Sequence, residues 1–164
     1  MEKIPSGKST KRVYVTKTPH QTQRLAEDFS TRLILDQGST LTHATVLALY
    51  GELGSGKTTF VQGLAQGLGV AQRIISPTFV IVRSYGIRNQ ESGIRNFYHI
   101  DLYRIESQED LKGLGIEEIL NNRQNLVAIE WAERLGNWLP QERIDIRFDY
   151  IDEEKRRITI EIRY

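Results

Sequence analysis

The stretch that decides the fold is TVLALY at residues 45–50, followed directly by GELGSGKT at residues 51–58. The first six residues are almost wholly apolar, without polar alternation, which is typical of a strand buried on both faces. The next eight match the phosphate-binding pattern G-x-x-x-x-G-K-[ST]. The fixed positions of that pattern are occupied by Gly51, Gly56, Lys57 and Thr58. An amphipathic helix is predicted next, so the order of strand, glycine loop and helix indicates a nucleoside triphosphate site.

The residue types in this loop suit a polyphosphate. Glycines allow the backbone N–H groups to turn inward, and the positive end of the following helix faces the anion. Lys57 is predicted to reach the β- and γ-phosphate oxygens, and the Thr58 hydroxyl to bind Mg²⁺. The residues expected to contact the nucleotide in this segment are Leu53, Gly54, Ser55, Gly56, Lys57, Thr58 and Thr59.

Composition predicts an ordinary globular chain. Its 164 residues suffice for one domain, and the net charge of +1 does not favour nucleic acid or an anionic membrane as a direct partner. The absence of cysteine excludes disulfides and thiolate metal sites. There is no apolar run long enough to span a membrane and no signal-peptide pattern, so we expect a cytoplasmic protein. We predict a flexible tail at residues 1–12 and a single P-loop ATPase domain at residues 13–164.

The remaining pattern predicts an α/β fold. Thr18 and Pro19 begin a helix as its N-cap and first residue, and Ser107 begins a second helix that continues in two pieces around glycines. Further strands are predicted at Val13–Val15, Phe79–Val82, 96–101, 126–130, Arg143–Tyr150 and Arg157–Tyr164, with a hairpin loop over 86–96. The expected architecture is a P-loop NTPase-type three-layer sandwich, with a mostly parallel central sheet and a C-terminal antiparallel hairpin.

Two acidic residues at the ends of predicted strands are candidate magnesium ligands. Asp101 and Glu130 each close an apolar strand, and α/β sheets place their ligands at the carboxyl ends of parallel strands. Glu130 has the stronger strand-then-acid pattern and is predicted to bind Mg²⁺ directly or through water. Asp101 is then the candidate base or outer-shell ligand. A helix cap or surface charge remains the alternative for each acid.

Four neighbouring residues are ambiguous in sequence. Trp131 is either a core residue or an aromatic wall beside the nucleotide. His99 points to the same side of its strand as Asp101, and we interpret it as a structural histidine with satisfied hydrogen bonds. Ser76 and Thr78 lie where a loop sensing the γ-phosphate would follow the first P-loop helix.

Several motifs together resemble the TsaE (YjeE) family of small bacterial P-loop ATPases. The shared motifs, in the family's order, are GELGSGKTT at 51–59, SPTF at 76–79, YHIDLYR at 98–104, LGIE at 114–117 and IEW at 129–131. The resemblance covers residues 13–164. It implies that Lys57 and the loop amides hold the phosphates of ATP, that Thr58 and Glu130 bind Mg²⁺, and that Asp101 and Trp131 support turnover. It also implies that Thr18 or Thr22 approaches the adenine.

The same resemblance implies a role in making N6-threonylcarbamoyladenosine at position 37 of tRNA. The implied partners are TsaD-like and TsaB-like proteins, with tRNA reached through their complex and no membrane. The transferase would be the TsaD-like subunit, and this chain an ATPase that is weak alone and stimulated by partners. Two alternatives stay open: a small-molecule kinase on the same phosphate loop, and a nucleotide-gated binding module that does not hydrolyse ATP.

Overall fold

The computed structural model describes residues 9–36, 42–88 and 93–163. Within these residues the strands are β1 (Thr10–Thr16), β2 (Thr45–Tyr50), β3 (Val82–Gly86), β4 (Asn96–Asp101), β5 (Asn125–Glu130), β6 (Arg143–Tyr150) and β7 (Arg156–Arg163). The helices are α1 (Pro19–Asp36), α2 (Lys57–Gly67) and α3 (Ile116–Leu120), with 3₁₀ segments at Gln108–Leu111 and Ala132–Trp138.

All seven strands form one sheet in the order β1-β7-β6-β2-β5-β4-β3. The four central strands β6, β2, β5 and β4 are parallel, whereas β3, β7 and β1 join antiparallel at the two sides. The prediction of an α/β fold with a parallel centre and a C-terminal hairpin is confirmed. The parallel pairing brings the carboxyl ends of β2, β4 and β5 to one edge of the sheet.

Two layers of helix cover this sheet. The core on one face contains Leu47 and Leu49 of β2 together with residues of α1 and α2, such as Ala26 and Phe60. The core on the other face contains Val46 of β2 and residues from α3 and the 3₁₀ segments. Every residue of β5 and all but the last residue of β2 are buried. This explains why both strands are continuous apolar runs rather than alternating ones.

Helices α1 and α2 run side by side and approach closely at glycines. A Cβ on Gly63 would lie 2.1 Å from the carbonyl oxygen of Gln23, and one on Gly67 would lie 2.5 Å from the Glu27 carbonyl oxygen. Gln23 of α1 lies beside Gly63 of α2, and Glu27 lies beside Gly67, so the sequence runs in the same direction along both helices. Helices α1 and α2 are therefore parallel, and the start of α1 lies beside the start of α2.

Two predicted boundaries differ from the structure. The strand predicted at Phe79–Val82 is wrong: Phe79 is 84 % exposed in a turn, and β3 begins at Val82. The cause is the turn at Pro77, whose carbonyl accepts the amides of Val80 and Ile81. Strand β1 begins at Thr10 because it pairs with β7, so the predicted tail is three residues too long.

Some predictions lie partly or wholly outside the described residues. Residues 1–8 of the predicted tail and residues 89–92 of the predicted hairpin loop are among them. The ends of that hairpin are described: β3 pairs antiparallel with β4, with Gly86 opposite Asn96. In the described part of the chain, no helix combines the length and apolarity needed to cross a membrane.

Candidate functional site

The glycine loop turns between the end of β2 and the start of α2. Gly51 allows a close approach, since a Cβ there would lie 2.8 Å from the Phe148 carbonyl oxygen. Gly56 has a φ of 104° and no side-chain cap, a conformation that costs glycine little. The first helical hydrogen bond joins Phe60 N to Gly56 O. Within the described residues, the amides of residues 57–59 donate to no backbone carbonyl, so they are available to an anion.

Lys57 folds back over this loop. Only 4 % of its surface is exposed, and its Nζ donates to Gly51 O at 2.6 Å and Glu52 O at 2.8 Å. The ammonium also lies 4.3 Å from the ring centroid of Trp131. Among the described residues, the direct contacts of this buried cation are carbonyls and an aromatic ring, which a stronger acceptor can replace.

Burial and the neighbouring carboxylates shift the pKa of Lys57 in opposite directions. Burial lowers the pKa of Lys57 from its ordinary value, because the charged form is desolvated. The carboxylates that oppose this shift are Glu130, Glu133 and Asp101. A buried lysine with a perturbed pKa beside an anion-binding loop is a signature of a functional site.

Thr58 and Glu130 are brought into direct contact, as the magnesium hypothesis requires. The Thr58 hydroxyl donates to Glu130, with Oγ1 2.8 Å from Oε1 and 3.0 Å from Oε2. Glu130 is 3 % exposed at the end of β5. His99 Nε2 lies 2.8 Å from the same Oε1, while His99 Nδ1 is buried without a partner among the described residues. The interpretation of His99 as fully satisfied is therefore wrong, and its contact places it in the site.

The donor set suits magnesium. A hydroxyl and a carboxylate are hard oxygen ligands, and Mg²⁺ takes one or two carboxylates from a protein and its remaining ligands from phosphates and water. Within the described ranges no group of three or more histidine or acidic side chains could hold a metal alone. Thr58 and Glu130 therefore fit an ion held jointly with a phosphate.

Asp101 lies next to Glu130, in register on the adjacent parallel strand β4. Its Oδ2 accepts the hydroxyls of Ser76 at 3.1 Å and Thr78 at 2.7 Å, and its Oδ1 accepts the Tyr103 amide at 3.0 Å. The loop that follows α2 is thus attached to an acid of the site. This placement is compatible with the sensing role predicted for Ser76 and Thr78, which stays a prediction, as do the roles of the two acids.

Trp131 lies at the site and also packs against the edge of the core on its face of the sheet. It adopts a positive φ of 58° immediately after Glu130, and its ring is half-buried against Lys57 and Tyr103. Arg134 lies 5.3 Å from the same ring centroid. Both interpretations of Trp131 therefore have a contact in the structure, and its role as an aromatic wall beside the nucleotide stays a prediction.

The two threonines considered for the adenine differ in availability. Thr18 is exposed and caps α1, accepting the Gln21 amide at 3.1 Å. Thr22 is 3 % exposed and shares a 2.8 Å hydrogen bond with Thr16. Because α1 begins beside the start of α2, Thr18 is the better placed of the two.

Two contacts of the site had no sequence signal. The Tyr150 hydroxyl donates to Leu53 O at 2.7 Å, joining the C-terminal hairpin to the phosphate loop across 97 residues. Arg134 donates to backbone carbonyls that follow β4, those of Leu102, Tyr103 and Ile105. Both contacts depend on strand order, which local patterns do not encode.

The parallel centre, the glycine loop and the lysine that folds over it define a P-loop-type α/β protein. A family model described as "Threonylcarbamoyl adenosine biosynthesis protein TsaE" matches residues 16–158. The chain belongs to the TsaE family, which takes part in threonylcarbamoyladenosine biosynthesis. The resemblance in sequence motifs is thereby confirmed.

Individual relatives agree with this assignment. The chain is 42 % identical over 126 residues to the tRNA threonylcarbamoyladenosine biosynthesis protein TsaE of Nostoc sp. PCC 7120, covering 75 % of this chain and 74 % of the relative. It is 40 % identical over 114 residues to the Bacillus subtilis protein of that name, covering 70 % and 67 %. The crystal structure of Bacillus subtilis YdiB superposes with a TM-score of 0.68 at 29 % identity, covering 96 % of this chain and 88 % of YdiB.

Proposed function

We propose that this protein binds and hydrolyses ATP with Mg²⁺ as an accessory factor for threonylcarbamoyl modification of adenosine 37 in tRNA. The observation that carries the proposal is the convergence of Lys57, Thr58 and Glu130 at the glycine loop. A phosphate cation, a hydroxyl ligand and a carboxylate ligand are the parts that phosphoryl chemistry on a P-loop requires.

Each part has a defined task. The Lys57 ammonium exchanges the carbonyls of Gly51 and Glu52 for phosphate oxygens, and the free amides at the start of α2 bind the same anion. Thr58 and Glu130 hold Mg²⁺, which when bound neutralises charge on the phosphates. Asp101, or Glu130 through water, orients the attacking water and accepts its proton.

We further propose a TsaB-like and TsaD-like complex as the partner of this chain. Support comes from apolar side chains exposed on the loops and at a strand end, at the same edge of the sheet as the site. They are Leu53, Ile75, Phe79, Val80, Tyr103, Tyr150 and Ile151. Exposed apolar side chains gathered at one end of a molecule are typical of a protein contact. The nucleotide site and the contact would then share the loop from Ser76 to Val80, so ATP turnover and partner binding are coupled.

A small-molecule kinase is less well supported. Such an enzyme needs an arginine lid free to close over the phosphates. Arg134 is committed to three backbone carbonyls, and Arg143 to Asp145 and to the Pro140 carbonyl. Tertiary hydrogen bonds therefore occupy two of the arginines that the kinase hypothesis would use.

The test is ATP hydrolysis by the purified chain, alone and with TsaB-like and TsaD-like proteins from the same source. We expect slow magnesium-dependent turnover alone and a clear rise with both partners. Stimulation by a small metabolite instead of the proteins would favour the kinase. ATP binding without any turnover in the complex would contradict the ATPase proposal.

Lys57→Ala should weaken ATP binding by about 10- to 100-fold and abolish turnover, since a hydrogen bond to a charged group contributes about 1.5–3 kcal/mol. Lys112→Ala is the matched control, because Lys112 forms an exposed pair with Glu109 away from the loop. Isothermal titration calorimetry measures both affinities. An unchanged affinity in Lys57→Ala would refute the phosphate-loop assignment.

A further inference from the structure

His99 contacts Glu130 although the sheet pairs it with another residue. In the register of β4 with β5, His99 lies opposite Ala128, and Asp101 lies opposite Glu130. The small Ala128 side chain leaves room for the imidazole to lean along the strand toward Glu130. The resulting Nε2 to Oε1 distance is 2.8 Å, and His99 is 0 % exposed.

The geometry determines which ring nitrogen carries the proton. Glu130 offers a carboxylate oxygen to Nε2, whereas Nδ1 is buried without a partner among the described residues. A proton on Nδ1 would be a buried donor with no acceptor, which is costly. The Nε2–H tautomer is therefore selected, and His99 donates to Glu130.

This donation differs from that of Thr58. The Thr58 hydroxyl has one proton and lies close to both carboxylate oxygens, so it does not distinguish between them. The imidazole contacts Oε1 and therefore does distinguish them. Since a carboxylate rotates about its last bond, a donor on one oxygen is what fixes the direction of the other.

We propose that His99 is a positioning residue for the magnesium ligand Glu130. Its Nε2–H holds Oε1 and so fixes the rotation of the carboxylate, which leaves Oε2, 3.0 Å from the Thr58 hydroxyl, for the metal or its water. The inference rests on the proposed function, because it assigns His99 a part in the same Mg²⁺ site. If His99 had a purely structural role, the effect of a substitution would depend on the volume of the new side chain. The positioning role instead predicts that the Mg²⁺ requirement depends on whether residue 99 carries an N–H donor that reaches Glu130.

The test compares His99→Gln, whose amide N–H can reach the position of Nε2, with His99→Leu, which fills similar space without a donor. ATP affinity is measured by calorimetry across a magnesium titration and in EDTA. We expect His99→Leu to need about 10- to 100-fold more Mg²⁺ for the same ATP affinity, the effect typical of losing a partner of a metal ligand. His99→Gln should recover most of this loss, and affinity in EDTA should stay unchanged in both variants.

Equal magnesium requirements in wild type and His99→Leu, or equal losses in both variants, would overturn the inference. If His99→Leu does not fold, His99→Asn replaces it, because this shorter amide is polar but does not reach Glu130. Equal magnesium requirements in the Asn and Gln variants would then contradict the inference. A wild-type chain that shows no magnesium-dependent ATP binding would instead overturn the proposed function itself. The two failures are thus distinguishable.

Discussion

The close contact of α1 with α2 makes Gly63→Ala a sharp test of the fold around the site. The added Cβ would lie 2.1 Å from Gln23 O, about 1.3 Å short of the 3.4 Å at which ordinary contact begins. A backbone carbonyl cannot rotate away, so the helices must separate. Because the atoms in the way are backbone atoms, the overpacking cost lies in the upper part of its usual range, about 2–3 kcal/mol, and alanine regains about 1 kcal/mol of helix propensity over glycine. We expect a net loss of about 1–2 kcal/mol.

Thermal unfolding followed by circular dichroism measures this loss. For a domain of this size, about 1 kcal/mol corresponds to about 2–4 °C, so Gly63→Ala should lower the Tm by about 2–8 °C. Gly86→Ala is the matched control, because a Cβ on Gly86 meets nothing within 4 Å. Its stability should stay within about 0.5 kcal/mol of wild type. A Gly63→Ala protein as stable as wild type would refute the parallel close packing of α1 on α2.

Two further predictions concern the segments that flank the site. Arg134→Gln should lower the free energy of unfolding by about 1–3 kcal/mol, because a charged donor to three carbonyls is lost. Chemical denaturation measures this loss, and the control variant Lys112→Gln should stay within about 0.5 kcal/mol of wild type. Equal losses in the two variants would contradict the role of Arg134. Backbone hydrogen bonds from Glu106 and Ser107 hold the pKa of Asp110 below its ordinary value of 3.8. The stability advantage of wild type over Asp110→Asn should therefore be present above about pH 4 and shrink as the pH falls through the lowered pKa; an advantage that grows on acidification would contradict this assignment.

The sequence by itself determined the strand, loop and helix from Thr45 to Gly67. Buried strands and amphipathic helices have local periods, and the loop has fixed glycine positions, so a window of some twenty residues contains the information. The helix start at Thr18 and Pro19 and the hairpin of β6 with β7 were predicted for the same reason. Asp101 and Glu130 are candidate ligands on the same grounds, because an apolar run that ends in an acid is a local pattern.

Only the tertiary structure decided which side chains meet at the site. The contact of His99 with Glu130 depends on the register of β4 with β5, and that of Tyr150 with Leu53 joins residues 97 positions apart. Likewise, the pairing of β3 with β4 starts at Val82 opposite Ile100, which leaves Phe79 outside the sheet. Such contacts depend on strand order and register. Both arise from the packing of the whole chain and produce no periodic pattern in the local sequence.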